Sequence, residues 1–204
     1  GATTASVVGL AAALCAALAA LAPETAEAFV DGSSYGDERR LPLRVPAALL
    51  AGPAELAWLA AAGGGCAGPL LLAARQWVLG ALALALGLPL ARWGARVLHT
   101  LARRWLVFVP TGVVVHDPLT LVDPVLLRRA TVRSFEPAPA DTDALDLTGG
   151  ASGLALEVRL TEPVSLLPVA PRQTPTELTG VTALIVTPSR PGRALAEARR
   201  RRLG

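Results

Sequence analysis

Charge is scarce in this sequence. Only 17% of its 204 residues are Asp, Glu, Lys or Arg, against about 25% in an ordinary soluble domain. Aromatic residues are only 4%, cysteines two, histidines two, and lysine, asparagine and methionine are missing altogether. Without lysine, all nineteen basic residues are arginine. Without methionine, the chain as read is expected to be a fragment or a processed product. Two isolated cysteines exclude a disulfide framework and a cysteine-based zinc cluster. Cys15, in an Ala/Leu run, and Cys66, in a Gly-rich stretch, are expected to be small buried or turn residues. Nothing spells a P-loop, a dinucleotide fingerprint, a nucleophile elbow or a zincin helix. The expectation is therefore no catalysis and no cofactor.

The abundant residues are apolar. They make up 52% of the chain, and mean hydropathy is +0.49. Gly1 to Pro23 carries no charge. At 1.5 Å per residue it reaches about 34 Å, enough for a ~30 Å hydrocarbon core. A signal peptide is the alternative, but the run shows no basic flank and exceeds an ordinary apolar region of that kind. Glu24 to Arg44 is polar and reads as a loop. Val45 to Ala91 holds only Glu55 and Arg75 as charges. Gly63-Gly64-Gly65-Cys66-Ala67-Gly68-Pro69 is a strong breaker in its middle. The expected organisation of residues 1–104 is three helices, near 3–23, 45–62 and 70–104, the last two forming a hairpin and the last continuing into a basic neck. In that hairpin Glu55 and Arg75 would approach each other as an intramembrane pair.

Charge divides unevenly along the chain. Residues 1–91 carry four Arg against six acids, and residues 92–204 fifteen Arg against ten acids. Arg92, Arg96, Arg103 and Arg104 follow the last apolar segment. By the positive-inside rule this side is expected to be cytoplasmic, with Trp93 and Trp105 at headgroup level. Three crossings would leave Arg39, Arg40 and Arg44 on the same side; two would leave them outside. Arg199, Arg200, Arg201 and Arg202 close the chain's last helical pattern. Together, the eight arginines form a candidate surface for anionic lipid. No aromatic interleaving accompanies them, so nucleic acid is not expected.

From Trp105 the periodicity changes to two. Trp105 to Pro110, the turn Thr111-Gly112 and Val113 to His116 predict a hairpin. Leu154, Leu156, Val158 and Leu160 alternate with Ala155, Glu157 and Arg159 as a half-buried strand. Further strands are predicted at 119–122, within 125–135, at 164–169 and at 181–187. Ser189 is placed to cap a helix from Arg190 to about Arg202. Two acidic groupings, His116/Asp117/Asp123 and Asp141/Asp143/Asp146, match no metal signature and read as turn chemistry.

The result is an α+β expectation: N-terminal transmembrane helices, then a small antiparallel β-barrel over 105–204 with a C-terminal helix. The segments Arg104-Trp-Leu-Val-Phe-Val-Pro-Thr-Gly-Val-Val-Val115 and Ile185-Val-Thr-Pro-Ser-Arg-Pro-Gly-Arg-Ala-Leu195 resemble the opening hairpin and closing strand–helix of bacterial pleckstrin-homology-like domains. The chain as a whole resembles actinobacterial membrane proteins. The apolar segments, the arginine distribution and this resemblance together give the expectation of a multi-pass cell-membrane protein whose cytoplasmic, non-catalytic domain binds a protein partner through a strand edge or loop. The alternatives are recognition of anionic lipid headgroups and a small transporter or channel subunit using Glu55 and Arg75.

Overall fold

The computed structural model describes residues 2–169 and 179–204. Its first helix is α1 (Ala2–Leu21). Pro23 starts a second, α2 (Pro23–Asp31), where a loop was expected. Strand β1 (Arg39–Pro42) follows, then a single turn α3 (Ala47–Leu50) and two long helices, α4 (Pro53–Ala73) and α5 (Trp77–Ala102). Among the described residues three helical segments, Thr3–Ala20, Ala47–Ala73 and Trp77–Ala102, are long and apolar enough to cross a membrane.

The Gly-rich stretch does not break the hairpin; it lies inside α4. The turn is Ala74-Arg75-Gln76 instead, with Arg75 in the left-handed region at φ 62°. The glycines act as a contact face. Gly80, Gly87 and Gly94 recur every seven residues on α5 and are buried. They meet Leu72, Gly64 and Ala57 of α4 respectively. A Cβ on Gly64 or Gly87 would overlap the other's carbonyl oxygen, and one on Gly94 would overlap that of Ala57. Backbone therefore lies on backbone along the seam. Small residues permit such an approach where apolar burial alone gives no drive between helices. Cys15 and Cys66, expected to be buried or in turns, are exposed on helices.

The second half forms two four-stranded sheets. The first has the order β1, β2 (Trp105–Val109), β3 (Gly112–His116), β4 (Val125–Arg128), all antiparallel. The second has the order β5 (Val132–Pro137), β7 (Leu156–Leu166), β8 (Thr179–Val186), β6 (Leu145–Asp146), with β6 parallel to β8. Helix α6 (Pro191–Arg200) closes the fold. The predicted hairpin at 105–116 and the strand through Leu156, Val158 and Leu160 are present as read. Leu154 lies outside the strand and is exposed, whereas Glu157 is buried. Of the 164–169 candidate, 164–166 form the far end of β7, beyond a register shift between Arg159 and Val164, and Pro168 makes only an isolated bridge. Leu121 makes only an isolated bridge. Ser189 does not cap α6: Arg190 stands at that position, and Ser189 N–H donates to Pro42 O.

Register explains the core. Leu41, Leu106, Val115 and Val125 form one buried row across the first sheet. Phe135, Val158 and Leu184 form another across the second. Phe108 and Phe135 join the layers, with ring centroids 5.9 Å apart. Each such side chain contributes about 1.5–3 kcal/mol by leaving water. The sheets touch at two corners, through Arg44 N–H to Thr187 O (2.8 Å) and Val122 N–H to Leu167 O (2.9 Å). They are not closed into the expected barrel: β4 and β5, though joined by a three-residue turn, lie in different sheets.

One strand comes from outside the expected domain boundary. β1 precedes the α4–α5 hairpin in sequence yet pairs along the whole of β2, from Arg39 opposite Phe108 to Pro42 opposite Trp105. Asp31, at the end of α2, accepts the Arg40 N–H at 3.0 Å and fixes its entry. The folded unit thus draws on residues before the hairpin as well as on 105–204.

Candidate functional site

The eight candidate lipid-facing arginines separate into three groups. Arg92 and Arg96 are exposed within the second half of α5, ten and six residues before its last residue, and Arg103 is exposed just beyond it. Arg104 is not a surface residue: only 1% of it is exposed. Its Nε and one terminal nitrogen donate to the two carboxylate oxygens of Asp117, at 2.7 and 2.6 Å. The other terminal nitrogen donates to Arg44 O. Asp117 also accepts the Leu119 N–H at 3.1 Å. This clasp ties the exit of α5 to the end of β3 and to the chain leaving β1.

Arg199 to Arg202 lie at the other end of the domain. β2 runs away from α5, so the 110–112 turn lies about 17 Å from Trp105 at 3.4 Å per residue. Arg202 lies beside that turn. Arg200 and Arg201 are held by Glu197, and Arg201 also donates to Asp37 O. The run therefore does not share a surface with Arg92, Arg96 and Arg103. Sequence reasoning missed this because neighbourhood along the chain says nothing about which end of a domain a helix points to.

Glu55 and Arg75 do not pair. Glu55 is in the first turn of α4 and Arg75 just past its last. Twenty residues of helix separate them by about 30 Å. The turn that was expected between them is itself helical.

Other ion pairs brace the α5 end of the domain. Glu27 of α2 is buried and pairs with Arg190 at 3.1 Å and Arg193 at 2.8 Å, at the start of α6. Between α2, α5 and the sheets lies an apolar cavity of about 620 Å³, lined among others by Phe29, Val30, Leu43, Leu98 and Leu101. Arg40 lies over Trp105 at 5.5 Å, and the indole stacks on His116 at 5.4 Å.

Burial pushes the His116 imidazole below its ordinary pKa, and the Arg103 and Arg40 charges push it the same way, against the opposing pull of Asp117. The folded protein thus binds fewer protons here than the unfolded chain. Stability from this group is present above pH 6.5 and is lost as pH falls below it. Thermal unfolding from pH 7.5 down to 5.5 should show a falling midpoint. His116→Gln should flatten that part of the curve; an unchanged slope would refute the assignment.

The outer edge of β8 is only partly covered among the described residues. On its inner side β8 pairs with β7 at both ends. On its outer side the two-residue β6 covers only Leu184 and Ile185. Among the described residues, no strand pairs with 180–183 on that side. Leu147 N–H donates to Ile185 O, so by alternation Ala183 and Val181 turn their backbone groups outward too. The edge faces a groove of about 600 Å³ lined by Asp141, Thr142, Asp143 and Arg159, among others. Arg159 is engaged by the buried Glu157, which also accepts from Thr142 at 2.8 Å. Asp141 and Asp143 have no cationic partner among the described residues, and they give the groove its charge. The Asp-rich loop, read as turn chemistry, thus walls an open edge. Asp117, from the other acidic grouping, is committed to Arg104.

Among the described residues, the chain is α+β, with three helices apolar enough to cross a membrane and a two-sheet domain whose β8 edge is unpaired at 180–183. No family model matches the chain, and no curated protein and no solved structure matches it either.

Proposed function

We propose that this chain is a membrane-anchored, non-catalytic interaction module. Its three apolar helices cross the bilayer, and its domain stands on the cytoplasmic face and takes an extended segment of a protein partner as an added strand on β8. The observation that carries this reading is the edge at 180–183, unpaired among the described residues, facing a groove with two carboxylates that have no cationic partner among those residues. Backbone pairing supplies affinity in such additions, and flanking side chains supply selectivity. Asp141 and Asp143 favour a basic segment.

The β1–β2 pairing supports three crossings, because it needs residues 39–42 and 105–109 on one side of the membrane. A hairpin of α4 and α5 returns the chain to that side. Exposed Arg92, Arg96 and Arg103 support a cytoplasmic side. Lipid contact is confined to these three and serves orientation. The order of strands followed by a helix supports the pleckstrin-homology-like resemblance. A relay through Glu55 and Arg75 loses its basis with their separation.

The test uses the full chain in neutral-lipid nanodiscs and a fluorescent peptide of alternating valine and arginine. Saturable binding is expected. Ala183→Pro removes one outward N–H from the edge without touching the β7 ladder, and should weaken binding tenfold or more while leaving the thermal midpoint within a few degrees. Equal binding by a folded Ala183→Pro protein, or no binding by the parent, overturns the reading.

A further inference from the structure

The end of the domain farthest from α5 carries a second surface, which shares no residue with the β8 edge. The β2–β3 and β4–β5 turns lie side by side there, joined by Arg129 N–H to Thr111 O at 2.8 Å. With the end of α6 they border an open surface cavity of about 670 Å³. Arg128, Arg129 and Arg202 line it beside Pro110, Leu126 and Ala130. All three arginines are exposed, and none has a carboxylate within 4.0 Å among the described residues. Among the described residues, none that lines the cavity is acidic.

Arg202 reaches it at a conformational cost. Its φ is 54°, the left-handed region. Arg202 N–H donates to Arg199 O and Leu203 N–H to Ala198 O, both at 3.0 Å, closing α6 in the pattern whose left-handed residue is usually glycine. Leu203, only 2% exposed, anchors the turn in the core. An arginine here sacrifices backbone comfort and gains no side-chain partner among the described residues. Its side chain lines the same surface as Arg128 and Arg129.

We propose that this cavity binds an acidic segment of a partner protein, its carboxylates on the three guanidinium groups and an apolar side chain against Pro110 and Leu126. Leu126 is 40% exposed on an edge strand and offers that apolar contact. The location disfavours the protein's own membrane: about 17 Å from the exit of α5 is twice the ~8 Å screening length at physiological salt. The lining has no aromatic residue on which a nucleic-acid base would stack.

The experiment places the full chain in neutral-lipid nanodiscs and titrates a fluorescent peptide of five aspartates around one leucine, at low and high salt. Saturable, salt-sensitive binding is expected. Arg128→Gln with Arg129→Gln should weaken it at least tenfold. Arg202→Gly should weaken it several-fold while raising the thermal midpoint, a combination that a merely structural arginine would not give. No peptide binding, affinity unchanged in Arg202→Gly, or binding only to anionic vesicles or to an oligonucleotide offered in parallel overturns the proposal.

Discussion

Replacing Asp117 by alanine is expected to cost the folded protein about 3–5 kcal/mol, because it leaves the Arg104 guanidinium buried without its counter-charge. Nearly all of both side chains is out of water. Such a loss is a large part of the 5–15 kcal/mol that holds a typical domain together. The full chain with Trp58, Trp77 and Trp93 replaced by phenylalanine, unfolded with urea in detergent and followed through Trp105 fluorescence, should show a much lower midpoint. The two-residue replacement Arg104→Met with Asp117→Leu should recover most of the loss, since neither charge then needs a partner. If the double variant is no more stable than Asp117→Ala, the hydrogen bond from Arg104 to Arg44 O carries the junction, and the ion pair does not.

Gly87→Ala is expected to open the α4–α5 hairpin. Two effects compete. Alanine is a better helix former than glycine by about 1 kcal/mol. The new methyl, however, meets the backbone of Gly64, which cannot rotate away as a side chain would. Overpacking typically costs about 1–3 kcal/mol, and contact with backbone belongs at the upper end, so the clash wins. Gly63→Ala and Gly65→Ala are the matched controls: a Cβ at either meets nothing within 4 Å. They should leave the hairpin intact or strengthen it slightly. Unfolding of the full chain in rising SDS, followed by helical circular dichroism, separates these outcomes. Equal stability of Gly87→Ala and Gly63→Ala would remove the seam from the account.

Much of the second half is legible because its strands are amphipathic. Leu106 and Phe108, then Val113 and Val115, alternate and are joined by Thr111-Gly112. Local pattern is enough for such a pair. β1 is illegible for the opposite reason. Arg39-Arg40-Leu41-Pro42 has one buried apolar residue, and its partner strand begins more than sixty residues later. The Gly-rich stretch was misleading because the same residues break a helix in water and let two helices touch along a seam. Asp117-Pro118 read as a turn, which it is, while its carboxylate reaches across the hairpin to Arg104. Local propensity was right there and silent about the ion pair.

The place of β1 in the chain also sets an order of assembly. A ribosome makes β1 first, then α4 and α5, and only afterwards the strand it must join. Until then its edge waits unpaired. If only one of the two helices enters the bilayer, β1 and β2 end on opposite faces and the first sheet cannot form. Under the proposed topology, completion of the first sheet therefore requires that both helices of the hairpin have entered the bilayer.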